Sequence, residues 1–152
     1  MTPPEPTFRY AEHEDITDLL AIDNAWPHSP HWTRTQYETE LAWERSVVLV
    51  AESEGRVRGF AVVWLIPPEA QLAAIAVRPE AAGQGLGRSL LRRIHEEARL
   101  GGCSVVTLEV SHRNAAARHL YETEGYITVG RRPTYYADGS DAVLMDLNLP
   151  AG

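Results

Sequence analysis

Lysine is missing altogether: all fourteen basic residues of this 152-residue chain are arginines. We read that bias as genomic in origin. Its practical consequence is that no side-chain amine exists to be modified, so the intact mass is a clean baseline. Cysteine is reduced to Cys103, which excludes an internal disulfide and, just before an apolar strand, reads as a small buried hydrophobe rather than a nucleophile. No apolar run approaches the length of a membrane span, and no basic-then-apolar stretch reads as a signal peptide, so neither is expected. Repeats, linkers and low-complexity stretches are likewise missing. These absences lead us to expect one cytoplasmic domain over residues 1–152, with residues 1–6 an extended tail and enough chain for a sizeable core. Positive charge is also short. The formal net charge of -7 argues against nucleic-acid binding, is compatible with a basic partner, and bears on steering rather than on fold. No metal is implied.

What is present centres on Val77 to Leu91, where an apolar run enters, three glycines at alternate positions (Gly83, Gly85, Gly87) turn the chain, and an amphipathic helical pattern leaves. Such a loop can aim successive backbone N–H groups into one concavity at a helix N-terminus, where the macrodipole also favours an anion. Glycine suits it, because a Cβ would block close approach of the backbone to a pyrophosphate and resist positive φ. A plain strand-to-helix turn explains the glycines equally well. The spacing does exclude two nucleotide sites. No Lys-Ser or Lys-Thr follows the last glycine, and Gly-x-Gly-x-Gly is not the dinucleotide fingerprint Gly-x-Gly-x-x-Gly.

Along the chain, Phe8 to Ala11 reads as a strand, followed from about Glu14 by a helix with Ile16, Leu19, Leu20 and Ile22 on one face. Pro27 and Pro30 end it. Thr33 with Gln36 forms a capping box for a short helix, Arg34 to Trp43. Between them, Trp26-Pro27-His28-Ser29-Pro30-His31-Trp32 is either a groove-lining loop or a stiff connector whose tryptophans cover the core. Ser46 to Ser53 and Val57 to Ile66 read as strands joined by a hairpin turn at Glu54-Gly55-Arg56, and Gln71 to Val77 as the next. A helix with Leu86, Leu90, Leu91, Ile94 and Ala98 inward stops at Gly101-Gly102. Ser104 to Val110, a helix from Ala115 to Glu124 capped by Asn114, and strands Tyr126 to Arg131 and Ala142 to Leu149 complete the order. This predicts a mixed α/β sheet of about seven strands flanked by about four helices, with the glycine loop at the carboxyl end of a central strand.

Two residues stand out as chemistry. Glu109 interrupts an otherwise apolar strand, which is costly unless the strand opens onto a wet cleft or a cationic partner. A glutamate on a polar face, satisfied by an arginine, is the plainer reading. On the last helix, the spacing puts Asn114, Ala117, Arg118 and Tyr121 on one face, with Ala116 and Leu120 toward the sheet. Tyr121 alone could be core packing, but the small residues beside it would admit a bulky ligand.

Ala82-Gly83-Gln84-Gly85-Leu86-Gly87 resembles the acetyl-coenzyme A loop of the GNAT N-acetyltransferases, Gln/Arg-x-x-Gly-x-Gly/Ala, with Ala82 in place of the usual Gln or Arg. The element order resembles that family throughout. Thr107-Leu108-Glu109-Val110, Asn114-Ala115-Ala116-Ala117, Leu120-Tyr121-Glu122, Gly125-Tyr126, and Arg131 to Tyr136 with Asp138-Gly139 and Asp141 to Met145 resemble its RimI branch, the ribosomal-protein alanine N-acetyltransferases. The resemblance implies a mostly antiparallel sheet and acetyl-coenzyme A as co-substrate. The cofactor would lie against Ile75, Ala76 and Val77, Ala82 through Ser89 (Ala82, Gly83, Gln84, Gly85, Leu86, Gly87, Arg88, Ser89), Asn114 and Ala117. It implies Glu109 as general base and Tyr121 as general acid, with backbone N–H groups near Ala76 and Val77 polarising the thioester. The acceptor would be the N-terminal alanine of the eighteenth small-subunit ribosomal protein, held between Trp26, Trp32, Tyr135 and Tyr136. Trp26-Pro27-His28 stands where that branch has Phe-Pro-Trp. Other N-termini, a small amine, or acyl-coenzyme A binding without turnover are the rival readings. No nucleic acid or membrane contact is expected, and the protein is expected as a monomer or weak dimer.

Overall fold

A computed structural model of the chain describes residues 5–150, so most of the expected tail lies outside the described residues. The strands are β1 (Thr7–Tyr10), β2 (Ser46–Ser53), β3 (Arg56–Ile66), β4 (Glu69–Val77), β5 (Val105–Ser111), β6 (Ile127–Arg132) and β7 (Ala142–Asn148). The helices are α1 (Ile16–Asn24), α2 (Arg34–Ala42), α3 (Leu86–Leu100) and α4 (Ala115–Thr123). One seven-stranded sheet runs β1-β2-β3-β4-β5-β7-β6. Every pairing is antiparallel except β4 with β5, as expected of a GNAT sheet.

Local chemistry explains the elements. Thr33 and Gln36 exchange side-chain-to-backbone bonds at the start of α2, which is the predicted capping box. The β2–β3 hairpin turns at Glu54 and Gly55, both at positive φ, the backbone of a two-residue turn matched to strand twist. Asn114 caps α4 by accepting from the Ala117 amide at 3.3 Å.

The sheet is buried on both faces in its first half. Leu49, Ala61, Val63, Ala70 and Leu72 pack with α3 residues Leu90, Leu91, Ile94 and Ala98 in one core. Val48, Val50, Phe60, Val62 and Ala74 pack beneath Ile16, Leu19 and Ile22 of α1 and Tyr37 of α2 in the other. Strands buried on both faces read as continuous apolar runs, which is why β2 and β3 show no alternation.

The sequence pattern hides a bulge. Val62 pairs with Ala74 but Val63 pairs with Leu72, leaving Ala73 unpaired. One extra residue inverts the faces of all that follow. Ala70 and Leu72 therefore point into the first core and Ala74 into the second. A bulged strand also bends, and β4 pairs with β5 only over Glu69–Gln71 with Val105–Thr107. Beyond those three residues the two strands part, opening a cleft between residues 72–77 and 108–111.

Candidate active site

One wall of the cleft is built from backbone. After β4, Arg78 is buried and pins the chain, its guanidinium donating to the Val57 carbonyl at 2.7 Å and to Asp18 of α1 at 2.7 Å. The loop then turns at Gly83 (φ 76) and Gly85 (φ 84), the latter being the residue before α3. A Cβ built on either glycine meets nothing within 4 Å. Their requirement is thus conformational, and the space above them is open. No side chain caps α3, so its first-turn amides face that space unpaired by side chains. At Gly87, a Cβ would come to 3.7 Å from Leu120, showing how closely α3 approaches α4. These features fit a pyrophosphate.

The side chains around the loop are otherwise occupied. Gln84 donates to the Glu80 carbonyl at 3.2 Å and Ser89 to the Gly85 carbonyl at 3.2 Å. Arg88 reaches across to Glu124 at 2.6 Å and to Thr123 at 3.1 Å. Arg92 joins it on Glu124, and together the guanidiniums hold that carboxyl below its ordinary range. Arg88 therefore ties α3 to the end of α4 rather than standing free over the loop. Ile75 and Val77 lean on the first core, Ala76 packs against the second, and Leu86 and Ala117 sit against the first.

The other wall is built from side chains. Glu109 lies on β5 just past the last residue paired with β4, on the face opposite Leu108 and Val110. Its carboxylate is 3.7 Å from the Arg132 guanidinium, which in turn stands 5.6 Å over the Tyr135 ring. Tyr135 and Tyr136 meet edge-on at 5.1 Å. Burial, and after it the negative charge of Glu109, pushes the Tyr136 hydroxyl up to about 12. The β6–β7 loop that carries these tyrosines is pinned to the end of β5. Ser111 donates to the buried Ser140 at 2.8 Å, and His112 accepts from the Asp141 amide at 2.9 Å. Arg113 reaches the Asp138 carbonyl at 3.0 Å. The Asp-Gly and Asp-Ala segments are thus loop anchors.

The structure corrects the orientation expected for α4. Ala116 is exposed, and Tyr121 points into the first core beside Tyr126, ring centroids 5.6 Å apart. The phase of α4 follows from the packing of Ala117, Leu120 and Tyr121 on the first core, a tertiary fact that periodicity over nine residues does not supply. Burial raises the Tyr121 hydroxyl above its ordinary value, and Tyr136 adds to the shift. Tyr136 accordingly stands within electrostatic reach of both Glu109 and Tyr121.

The two tryptophans separate. Trp26 donates its indole N–H to the Val77 carbonyl at 2.6 Å, which fastens the α1–α2 loop to the lip of the cleft. Trp32 instead packs edge-on against Tyr37 at 5.4 Å, in the second core. His28 of the same loop contributes to holding the Asp138 carboxyl below its ordinary range, after Ser140 and Arg113, so this loop comes across to the β6–β7 loop.

Three residues were given no role from the sequence alone. Asp23 is wholly buried and accepts from the His31 and Trp32 amides, each at 2.9 Å, and from the Tyr37 hydroxyl at 2.7 Å. A carboxylate in phase with Ile16 and Leu19 was its signal. Arg78 and Arg132 gave weaker ones, since their partners Asp18 and Glu109 lie far off in sequence. Among the described residues no cluster of His, Cys, Asp or Glu could hold a metal, and no helix is long and apolar enough to cross a membrane.

A cleft with a main-chain anion cradle on one side and a carboxylate with tyrosines on the other suits transfer between two bound molecules. Residues 13–126 match the model of the acetyltransferase (GNAT) family. The chain belongs to the GNAT family. It is an N-acetyltransferase related to an Escherichia coli ribosomal protein bS18-alanine N-acetyltransferase, 35% identical over 79% of this chain and 82% of that one. A Mycobacterium tuberculosis N-alpha-acetyltransferase RimI is 38% identical over 90% of this chain and 83% of its own. The E. coli ribosomal-protein-S18-alanine N-acetyltransferase crystal structure superposes with a TM-score of 0.85, covering 97% and 96% of the two chains at 31% identity. YncA of Salmonella typhimurium, solved with its cofactor acetyl-CoA, superposes at 0.81 with 26% identity over 97% and 95% of the chains.

Proposed function

We propose that this GNAT enzyme transfers acetyl from acetyl-CoA to the N-terminal alanine of ribosomal protein S18, with Glu109 as base and Tyr121 as acid. The observation that supports this is the parting of β4 and β5: past it Glu109 stands on the face of β5 opposite Leu108 and Val110, and Tyr136 lies within electrostatic reach of both Glu109 and Tyr121. Support for the acceptor comes from the relatives' names.

The glycine loop and the uncapped start of α3 hold the pyrophosphate, with Asn114 and Ala117 at the edge of α4. Acetyl-CoA supplies an activated thioester when bound. Residues 72–77 of β4, held by β3 on one flank and left by β5 on the other, offer backbone amides beside that carbonyl. The acceptor enters between the α1–α2 and β6–β7 loops, along Trp26, Tyr135 and Tyr136, and the excess of acidic over basic residues draws in a basic segment.

An ammonium cannot attack a thioester, so the proton must leave first. An α-amine has a pKa of about 7.7–8.0, whereas a lysine side chain lies near 10.4, so at pH 7 the neutral fraction differs by roughly a few hundredfold. Glu109 takes the proton directly or through a water. Tyr121, kept protonated by its burial, gives one to the departing thiolate. The amine nitrogen replaces sulfur on the acetyl carbon in one direct transfer, and Cys103, buried beyond the cleft, takes no part.

The test is mass analysis of three peptides incubated with enzyme and acetyl-CoA: the S18 N-terminal segment, the same peptide blocked at its N-terminus with a lysine added, and unrelated N-termini. One acetyl group on the free-alanine peptide, sharply reduced by Glu109→Gln and Tyr121→Phe, supports the assignment. Transfer to lysine or unrelated amines, or full activity in both variants, overturns it.

A further inference from the structure

Arg132 has no place in the reaction just described, yet its guanidinium stands at the carboxylate on which that reaction depends. The two arginines that end β6 diverge. Arg131 is locked to Asp141 at 2.6 Å, whereas Arg132 crosses over β7 to within 3.7 Å of Glu109, outside hydrogen-bond distance. Its second contact is the Tyr135 ring, at 5.6 Å. Two soft contacts leave it able to shift between carboxylate and ring without losing both. More than half of its side chain is exposed, so it meets an incoming molecule. Among the described residues it is the one cation within 4 Å of Glu109.

We propose that Arg132 is a guard cation that keeps the acceptor's amine neutral at the base. The inference rests on the reading of Glu109 as that base. An acceptor brought to Glu109 must place its nitrogen a few ångströms from the Arg132 guanidinium. Like charges at that distance disfavour the ammonium. The proton passes from the ammonium to the Glu109 carboxylate; Arg132 gives and takes none, and yields toward Tyr135 as the amine enters. The same field selects against a lysine side chain, which holds its proton more firmly.

The other charged and titratable groups facing this point do not cancel the effect. On β5 there is Glu109 itself; on β7, Asp146 lies one alternate residue beyond Leu144, the residue paired with Glu109. The β6–β7 loop contributes Tyr135, Tyr136 and Asp138, the last already engaged with Ser140 and Arg113. From the α1–α2 loop comes His28. The carboxylates favour an ammonium, and Arg132 is the cation set against them.

The experiment measures kcat and KM for an alanine-initiated peptide at saturating acetyl-CoA from pH 5.5 to 9, for wild type, Arg132→Gln, Arg132→Met, Arg132→Lys and Glu109→Gln. Loss of the charge should move the acidic limb of kcat about one unit toward alkaline pH, a roughly tenfold loss on that limb. KM for the peptide should not rise. Lysine at 132 should restore the limb, which a merely structural role would not predict. A limb unmoved in both Gln and Met variants overturns the inference, as does a Lys variant shifted as far as they are. Glu109→Gln separates the two readings. If it is inactive while the Arg132 limb stays put, only the guard fails; if it is fully active, the base assignment fails as well.

Discussion

The two walls of the cleft are made of different materials. The wall we assign to the donor is a loop defined by what it leaves out: two glycines at positive φ, open space where Cβ atoms would stand, and helix amides no side chain covers. The acceptor wall is crowded, with Trp26 fastened to Val77, Arg132 poised between Glu109 and Tyr135, and a loop stitched to the end of β5. Main-chain recognition needs few specified residues, and they sit close together in sequence. Side-chain recognition needs partners delivered by the fold from positions as separate as 26, 109 and 136. The donor wall should therefore tolerate side-chain truncation and fail on backbone change, and the acceptor wall should do the opposite.

The largest expected break is on the acceptor wall. Glu109→Gln should lower kcat by about 10²–10⁴-fold while leaving acetyl-CoA binding within a few-fold, measured by single-turnover acetylation and by titration calorimetry. Next is the anchor behind that wall. Asp23→Ala removes an acceptor from two amides and a buried hydroxyl, and should cost about 3 kcal/mol in urea unfolding. The same variant should raise KM for the peptide more than KM for acetyl-CoA, because the freed segment carries Trp26.

Smaller effects belong to the donor wall. Gly85→Ala forces a Cβ into the left-handed region at a cost of about 1–2 kcal/mol and should raise KM for acetyl-CoA about tenfold. Gln84→Ala, one residue away, should change it less than about twofold. Equal effects of the two would break the contrast between backbone and side-chain recognition. The smallest effect lies behind Tyr121, where His95 meets the Tyr126 hydroxyl at 2.7 Å and burial lowers its pKa below 6.5. The unfolded chain then binds more protons than the folded one below about pH 6.5, so stability falls as pH drops through that window and is flat above it. His95→Gln should flatten that slope below about pH 6.5, in denaturant titrations at each pH.

The same contrast governs how much could be read from sequence. Element order, the Thr33 capping box, the Asn114 cap and the glycine loop were all legible, because each is a pattern within a few residues. The Ala73 bulge was not: it adds one alanine to an apolar run and changes nothing in composition, yet it turns β4 and ends its pairing with β5. Nor was the phase of α4, nor the sorting of Trp26 to the cleft and Trp32 to the core. Arg132 was quoted within a motif, but its reach across β7 depends on strand order, which periodicity does not encode. Asp23 was the one missed residue with a local signal.

The parting of β4 and β5 also bears on the stability of the protein as a whole. A sheet that stops pairing after three residues carries an edge inside itself, with one flank of residues 72–77 presented to whatever enters. An extended molecule lying there stands in for the missing neighbour and behaves thermodynamically as part of the fold. Occupancy at a hundred times the dissociation constant would add about 2.7 kcal/mol to unfolding. Amide exchange along that flank, rapid in the free protein, would slow as the gap fills, so saturation of the enzyme can be followed by how firmly its own sheet is held shut.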